Sequence, residues 1–116
     1  MAGPDWSKAV VPARKLTHYL LALDHPEGGS KAAFLGTRGF GPDRPDVLAD
    51  ALRIHAASGA AVSASNDFGV KYVVDGPLRT PGGGSAPFRS VWIVEFGEDV
   101  PRFVTAYPLE LRRGDL

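Results

Sequence analysis

The feature of this 116-residue chain that most constrains its fold is a change in the spacing of apolar residues at Gly59. Before this glycine, apolar side chains recur every three or four residues, as they do on the buried face of a helix. After it, runs of β-branched and aromatic residues alternate with polar ones, which is typical of strands. Helices followed by strands predict an α+β domain. The length suits a single domain, residues 1–116, with its core at about 12–108.

Three helices are predicted in the first half of the chain. The first begins at Pro12, because proline suits the first helical position, and ends before the loop that starts at Asp24. The second has Ser30 as its N-cap and ends near Gly39. The third is capped by Asp43 and carries a buried stripe that takes in either Ile54 or His55.

Four strands are predicted after the spacing changes, at residues 61–65, 70–74, 91–96 and 102–107. Residues 76–87 are predicted to be a loop because they are rich in glycine and proline. Short links pair neighbouring strands antiparallel. The predicted fold is therefore three N-terminal helices packed on a four-stranded antiparallel sheet. Of Trp92 and Ile93, which are neighbours on the third strand, only one is predicted to point into the core.

Strict alternation along the last strand divides its side chains between two faces. It places Phe103, Thr105 and Tyr107 on one face, and Val104 and Ala106 on the other. The small pair suits the face under the helices, which leaves Thr105 and Tyr107 on the open face. The opposite assignment stays an alternative.

Composition excludes several kinds of site. The chain has no cysteine, so it has no disulfide, no thiolate metal site and no cysteine nucleophile. Its three histidines, His18, His25 and His55, lack metal-ligand spacing, and no metal or cofactor is expected. No apolar run could cross a membrane and the N-terminus does not resemble a signal peptide, so a cytoplasmic protein is expected.

Charge argues against a ligand that is held by general electrostatic attraction. Thirteen Lys and Arg residues balance 13 Asp and Glu residues, for a net charge of zero. Proteins that bind nucleic acid by charge alone carry a clear excess of basic residues. A nucleic-acid ligand would therefore need a local cluster of cations.

Five residues are candidates for chemistry on an anion. The loop residue His25 can act as acid or base near neutrality, and its alternative is a turn residue bonded to the backbone. Lys31 lies in a first helical turn, which suits phosphate, although a lysine there is usually only solvated. Thr105 and Tyr107 place two hydroxyls on one strand face. Arg102 opens that strand and could instead pair with a nearby carboxylate.

Several segments together resemble a bacterial domain family whose members occur as stand-alone proteins and as C-terminal domains of large toxin-like proteins. They are, in order, residues 15–21, 25–34, 39–40, 68–76, 80–83, 90–94 and 101–108. The closing Thr105-Ala106-Tyr107-Pro108 is also similar to the last strand of toxin ribonucleases of the barnase–EndoU–colicin–RelE type. Those proteins place helices before a four-stranded antiparallel sheet and cleave RNA on its concave face.

This resemblance implies a metal-independent endoribonuclease, in which a ribose 2′-hydroxyl attacks the adjacent phosphorus. The implied catalytic residues are His25, Lys31, Thr105 and Tyr107. The implied substrate-binding residues are Arg102, Tyr72 and Trp92, of which the aromatic pair would stack a base. RNA and a cognate antitoxin or immunity protein are the implied partners.

Two other functions stay open. One is a non-catalytic binding module, such as an antitoxin, an immunity protein or another partner from a toxin operon. The neutral charge and the absence of a sharp catalytic motif favour it. The other is a structural domain that oligomerises through the edge of the sheet.

Overall fold

The structure, a computed structural model, describes residues 4–21 and 29–109. A 3-10 turn, Trp6–Lys8, precedes α1 (Ala13–Lys15), a π-helical segment (Leu16–Leu20), α2 (Gly29–Gly36) and α3 (Pro45–Ser58). The strands are β1 (Ala60–Ser65), β2 (Gly69–Arg79), β3 (Ser85–Glu95) and β4 (Arg102–Pro108). They form one antiparallel sheet in the order β1-β2-β3-β4. The predicted α+β class and four-stranded antiparallel sheet are confirmed.

The helical half differs from the three helices that were predicted. α1 is a single α-helical turn that continues as the π-helical segment, where the Leu21 N–H donates to the Leu16 carbonyl at 2.7 Å. We call these two elements together, residues 13–20, the first helical segment. Two predicted caps are wrong. Ser30 lies inside α2, and Arg44 rather than Asp43 occupies the N-cap of α3.

β2 and β3 extend through most of the predicted loop, residues 76–87, and only residues 80–84 connect them. The Thr80 N–H donates to the Gly84 carbonyl at 3.0 Å, so every second pair along the hairpin exchanges hydrogen bonds. Pro77 and Pro87 oppose each other at one of the intervening pairs, which exchange no hydrogen bonds. Their nitrogens therefore point outward, beyond the last paired residues of β1 and β4. Neither proline removes a hydrogen bond from the ladder, which is why the strands tolerate them.

α3 packs on the sheet, mainly on β2. It buries Leu48, Leu52, His55 and Ala56, whereas Ile54 is 53% exposed. The covered face of the sheet, which packs against the helices, carries Tyr72, Val74, Leu78, Phe88, Ser90 and Trp92. The open face carries the alternate residues of the same strands, including Val73, Asp75, Arg89, Val91 and Ile93.

Trp92 lies at the centre of the core. Its side chain is completely buried, while Ile93 is half-buried on the opposite face, so the prediction that only one points inward is confirmed. The Trp92 ring meets Phe103 edge-on, with centroids 5.3 Å apart, and Trp6 in the same manner at 5.4 Å. Trp6 also packs against Tyr72 at 5.7 Å. The N-terminal turn therefore closes this end of the core.

A chain of hydrogen bonds runs through the core from Trp92 to His55. Trp92 Nε1 donates to Ser90 Oγ at 2.8 Å, and Ser90 Oγ lies 2.9 Å from His55 Nδ1. His55 Nε2 lies 2.9 Å from the Phe88 carbonyl and 3.1 Å from the Gly76 carbonyl. Because carbonyls only accept, Nε2 carries a proton. Burial lowers the pKa of His55 and so favours the neutral imidazole, whose Nδ1 accepts from the serine hydroxyl.

We expect the free energy of unfolding to fall as the pH is lowered below 6.5, the ordinary pKa of histidine. The folded-state pKa of His55 is lower, so the unfolded chain takes up a proton first and becomes favoured. The loss is at most about 1.4 kcal/mol for each pH unit. Urea titrations of wild type at about pH 7.5 and about pH 5.5 measure it. His55→Gln should abolish the difference and the exposed-site control His18→Gln should retain it; equal wild-type stability at both pH values would contradict the expectation.

Candidate functional site

A β-bulge in β4 sets which of its side chains face the helices. Phe103 pairs with Trp92, and Thr105 pairs with the preceding residue, Val91. Val104 is therefore one extra residue between two pairs. The alternation between covered and open face shifts by one residue at this point.

The prediction that Phe103 shares a face with Thr105 and Tyr107 is wrong for this reason. Phe103 and Ala106 are both completely buried, and Val104 is 38% exposed. Thr105 and Tyr107 lie on the open face, as the alternation argument had placed them, and both are half-buried. The pair under the helices is Phe103 and Ala106 rather than Val104 and Ala106.

A polar row crosses the open face at the C-terminal end of β4. Asp75, Arg89 and Tyr107 are cross-strand neighbours on β2, β3 and β4. Arg89 donates from Nε and Nη2 to the two carboxylate oxygens of Asp75 at 2.6 and 2.7 Å. Hydrogen bonds to Asp75, which have the larger effect, and to Tyr107 hold the pKa of the guanidinium above its ordinary value. Arg89 is therefore an oriented, permanently charged group beside the phenol.

α2 brings a second cation to the same tyrosine. Lys31 Nζ lies 5.6 Å from the centroid of the Tyr107 ring, within the range of a cation–π contact. Both side chains are half-buried. The Tyr107 side chain thus contacts a lysine from α2 and an arginine, Arg89, from β3.

Thr105 lines a cleft of about 350 Å³ between β4 and the first helical segment. The other described residues that line it are Arg14, Lys15, His18 and Val104, so it carries three basic side chains and no acidic one. Lys15 Nζ donates to the Val104 carbonyl at 3.0 Å. The bulge that orients Thr105 therefore also holds the first helical segment against β4.

The sequence-predicted site residues are divided by this geometry. Lys31, Thr105 and Tyr107 lie along β4 and α2, on one side of the molecule. Arg102 lies beyond the bulge at the other end of β4, where it pairs with Glu95 at 3.7 Å. His25 lies outside the described residues.

The two aromatic candidates lie on the covered face. Trp92 is completely buried, and Tyr72 is half-buried against Trp6. Both rings lie on the far side of the sheet from Thr105. Neither is placed to stack a nucleobase bound on the open face, which corrects the expectation drawn from the resemblance.

Four basic residues of this region were not among the predicted site residues: Arg14, Lys15, His18 and Arg89. A signal for Arg89 was present. Asp75 and Arg89 lie seven residues to either side of Gly82, the centre of the glycine-rich tip, so a symmetric hairpin pairs them. For Arg14 and His18 the signal was weaker, because four-residue spacing puts two side chains on one helix face without saying what that face meets.

Among residues 4–21 and 29–109, no group of three or more histidines and carboxylates is arranged to hold a metal ion. No helix in the described part of the chain has the length and apolarity of a membrane span.

Comparison with known proteins identifies the fold and the family. No curated protein matches the chain. A chain of the contact-dependent growth inhibition toxin–immunity protein complex from Klebsiella pneumoniae 342 superposes with a TM-score of 0.69 at 19% sequence identity. The match covers 86% of this chain and 99% of that chain, and it shows a shared fold. The model of the domain of unknown function DUF6883 matches residues 3–110, and the chain therefore belongs to the DUF6883 family.

Proposed function

We propose that this protein is an RNA-cleaving domain of a bacterial toxin system, with its active site along β4 on the open face of the sheet. The observation that carries the proposal is the contact of Tyr107 with two cations from different elements, Lys31 and Arg89. Thr105 adds a second hydroxyl to the same strand face. Cations and hydroxyl donors that converge on one point suit a phosphate whose negative charge increases during reaction.

The chemistry needs no group beyond side chains. A base takes the proton of the ribose 2′-hydroxyl, the oxygen attacks the neighbouring phosphorus, and an acid gives a proton to the leaving 5′-oxygen. Lys31 and Arg89 would stabilise the charge on the phosphoryl oxygens, to which Thr105 and Tyr107 would donate hydrogen bonds. His25 remains the predicted acid or base.

The distribution of charge supports the proposal. The chain is neutral overall, so a nucleic-acid ligand needs a local excess of cations. Five basic side chains lie around Thr105 and Tyr107 of β4: Arg14, Lys15, His18, Lys31 and Arg89. The Asp75 carboxylate offsets part of this charge while it fixes the guanidinium.

The fold supports the placement in a toxin system. The matched Klebsiella chain comes from a complex between a contact-dependent growth inhibition toxin and its immunity protein. A partner of the immunity or antitoxin kind is therefore part of the proposal.

The test is cleavage of a mixed RNA substrate by purified protein in the presence of EDTA. Wild type should produce fragments with 2′,3′-cyclic phosphate ends. Tyr107→Phe and Lys31→Ala should each lower the rate on the order of 10²-fold, because each removes one stabilising contact to the reacting phosphate. The control variants Tyr72→Phe and Lys71→Ala change the same residue types away from the site and should cleave like wild type. The proposal would be contradicted if wild type did not cleave RNA in EDTA, or if the control variants lost as much of the cleavage rate as the site variants.

One observation favours a second function, a non-catalytic protein-binding module. Val62, Phe68 and Phe96 are exposed by 73%, 74% and 66%. Phe68 also lines a groove of about 380 Å³ on the open face with Val91 and Ile93. Exposed apolar surface of this kind marks contacts with other proteins. This function would be established instead if the protein cleaved no RNA but bound the product of a neighbouring gene tightly, and if Phe68→Ser weakened that binding.

A further inference from the structure

We infer that the cleft between the first helical segment and the bulge of β4 binds a phosphodiester, and that it holds the RNA backbone next to the bond that is cut. Arg14 and His18 are its proposed ligands. Neither basic residue was a sequence-predicted site residue. The inference rests on the proposed function for the identity of the ligand as RNA.

The basic side chains of this cleft have no carboxylate partner among the described residues. Of the seven arginines among the described residues, Arg44, Arg53, Arg89 and Arg102 each pair with a carboxylate, whereas Arg14, Arg38 and Arg79 do not. Within residues 4–21 and 29–109, Arg14 and His18 have no hydrogen-bond or ion-pair partner. Lys15 bonds to a carbonyl, which leaves its charge uncompensated. The positive charge of this cleft is therefore not neutralised by the described residues around it.

The cleft also has a fixed shape. Lys15 Nζ and the Val104 carbonyl, 3.0 Å apart, join the helix to the strand at the bulge. Val10 joins the chain to β4 just before the helix, since its N–H donates to the Pro101 carbonyl and its carbonyl accepts from the Phe103 N–H, both at 2.8 Å. The first helical segment, which carries Arg14 and His18, is thus held at Lys15, and the chain that leads into it is held at Val10. A preformed arrangement of donors loses less entropy when an anion binds.

The cleft is continuous with the proposed active site. Thr105 belongs to the cleft, and Tyr107 lies two residues further along the same face of β4. This separation is about 7 Å. Successive phosphates along an extended single strand are spaced on the same scale. One RNA backbone can therefore place one phosphate near Tyr107, Lys31 and Arg89, and the next beyond Thr105, against Arg14 and His18 in the cleft.

The experiment uses a short, fluorescently labelled RNA in which every ribose carries a 2′-O-methyl group. Such an RNA keeps its phosphodiesters but cannot be cut by 2′-hydroxyl attack. Affinity is measured by fluorescence anisotropy at several salt concentrations for wild type, Arg14→Ala and His18→Gln. Arg79→Ala is the matched control, because Arg79 is an exposed arginine at the tip of the β2–β3 hairpin.

Arg14→Ala should weaken binding about tenfold, the usual effect of one lost charge-assisted hydrogen bond. It should also reduce the dependence of log affinity on log salt by about 0.7, the value for one phosphate contact on a single strand. His18→Gln should weaken binding in the same direction, and Arg79→Ala should bind like wild type. Melting temperatures should be unchanged, since Arg14, His18 and Arg79 are all exposed.

Parallel cleavage assays on unmodified RNA separate the two proposals. Binding that depends on Arg14 without any cleavage would support the cleft and contradict the proposed function. Cleavage that Tyr107→Phe abolishes, combined with binding that neither Arg14→Ala nor His18→Gln changes, would overturn the cleft and leave the proposed function standing. A loss in Arg79→Ala as large as that in Arg14→Ala would also overturn the cleft.

Discussion

Replacing Trp92 with alanine is expected to lower the free energy of unfolding by about 3–5 kcal/mol, the range for a large buried aromatic residue. The ring is completely buried and meets Phe103 and Trp6 edge-on. Its removal leaves a cavity between elements that are far apart in the sequence. It also removes the indole N–H that donates to Ser90, and so disturbs the hydrogen bonds that hold His55.

Urea titrations followed by far-ultraviolet circular dichroism measure this loss without relying on tryptophan fluorescence. Ile93→Ala is the matched control, because Ile93 is the next residue on β3 but points to the open face. Its loss should be clearly smaller, about 1 kcal/mol. Equal losses in the two variants would contradict the assignment of faces on β3.

Replacing Gly69 with alanine is the second substitution for which a large loss is expected, about 3 kcal/mol or more, at the upper end for single substitutions. Gly69 opens β2 with a φ of 159°. A Cβ at this position would lie 2.1 Å from the Val94 carbonyl oxygen and 2.7 Å from the Glu95 Cα. Both atoms belong to the backbone of the paired strand, which cannot move aside without breaking the ladder.

Gly82→Ala is the control for the general effect of replacing glycine. Gly82 lies in the tip of the β2–β3 hairpin, its φ is not positive, and a Cβ there would meet nothing within 4 Å. Its stability should be unchanged or slightly higher, because alanine restricts the unfolded chain. Thermal unfolding of the two variants beside wild type is sufficient. A Gly69→Ala protein as stable as the Gly82→Ala protein would show that the two strands do not approach so closely.

The change of spacing at Gly59 was enough to predict the class of the fold and the sheet, because local periodicity carries both. Local signals failed where pairing between distant segments decides the structure. Pro77 and Pro87 favoured a loop, yet both sit at positions of the hairpin where no N–H is required. The first helix was predicted as regular, whereas it becomes π-helical after one turn. Ser30 and Asp43 have the chemistry of caps, but neither occupies a cap position.

The candidate site was predictable to the extent that it depends on local order. Thr105 and Tyr107 share a face because they are two residues apart in a regular part of β4. Their neighbours come from α2, β3 and the first helical segment, and no spacing in the sequence brings these together. Tyr72 and Trp92 show the converse: an aromatic residue on a strand has the same local signature whether it faces a ligand or the core.

The bulge at Val104 lets β4 hold one residue more than the pairing with β3 requires. The core residue Phe103 comes before the extra residue, and the outward-facing hydroxyls of Thr105 and Tyr107 come after it. If Val104 were deleted, the strand would alternate regularly, and Phe103 and Ala106 would still face the core while Thr105 and Tyr107 stayed on the open face. If the bulge were lost without a deletion, the residues after it would instead exchange core and surface. Related sequences that keep this surface should therefore have either this bulge or one residue fewer between Phe103 and Tyr107.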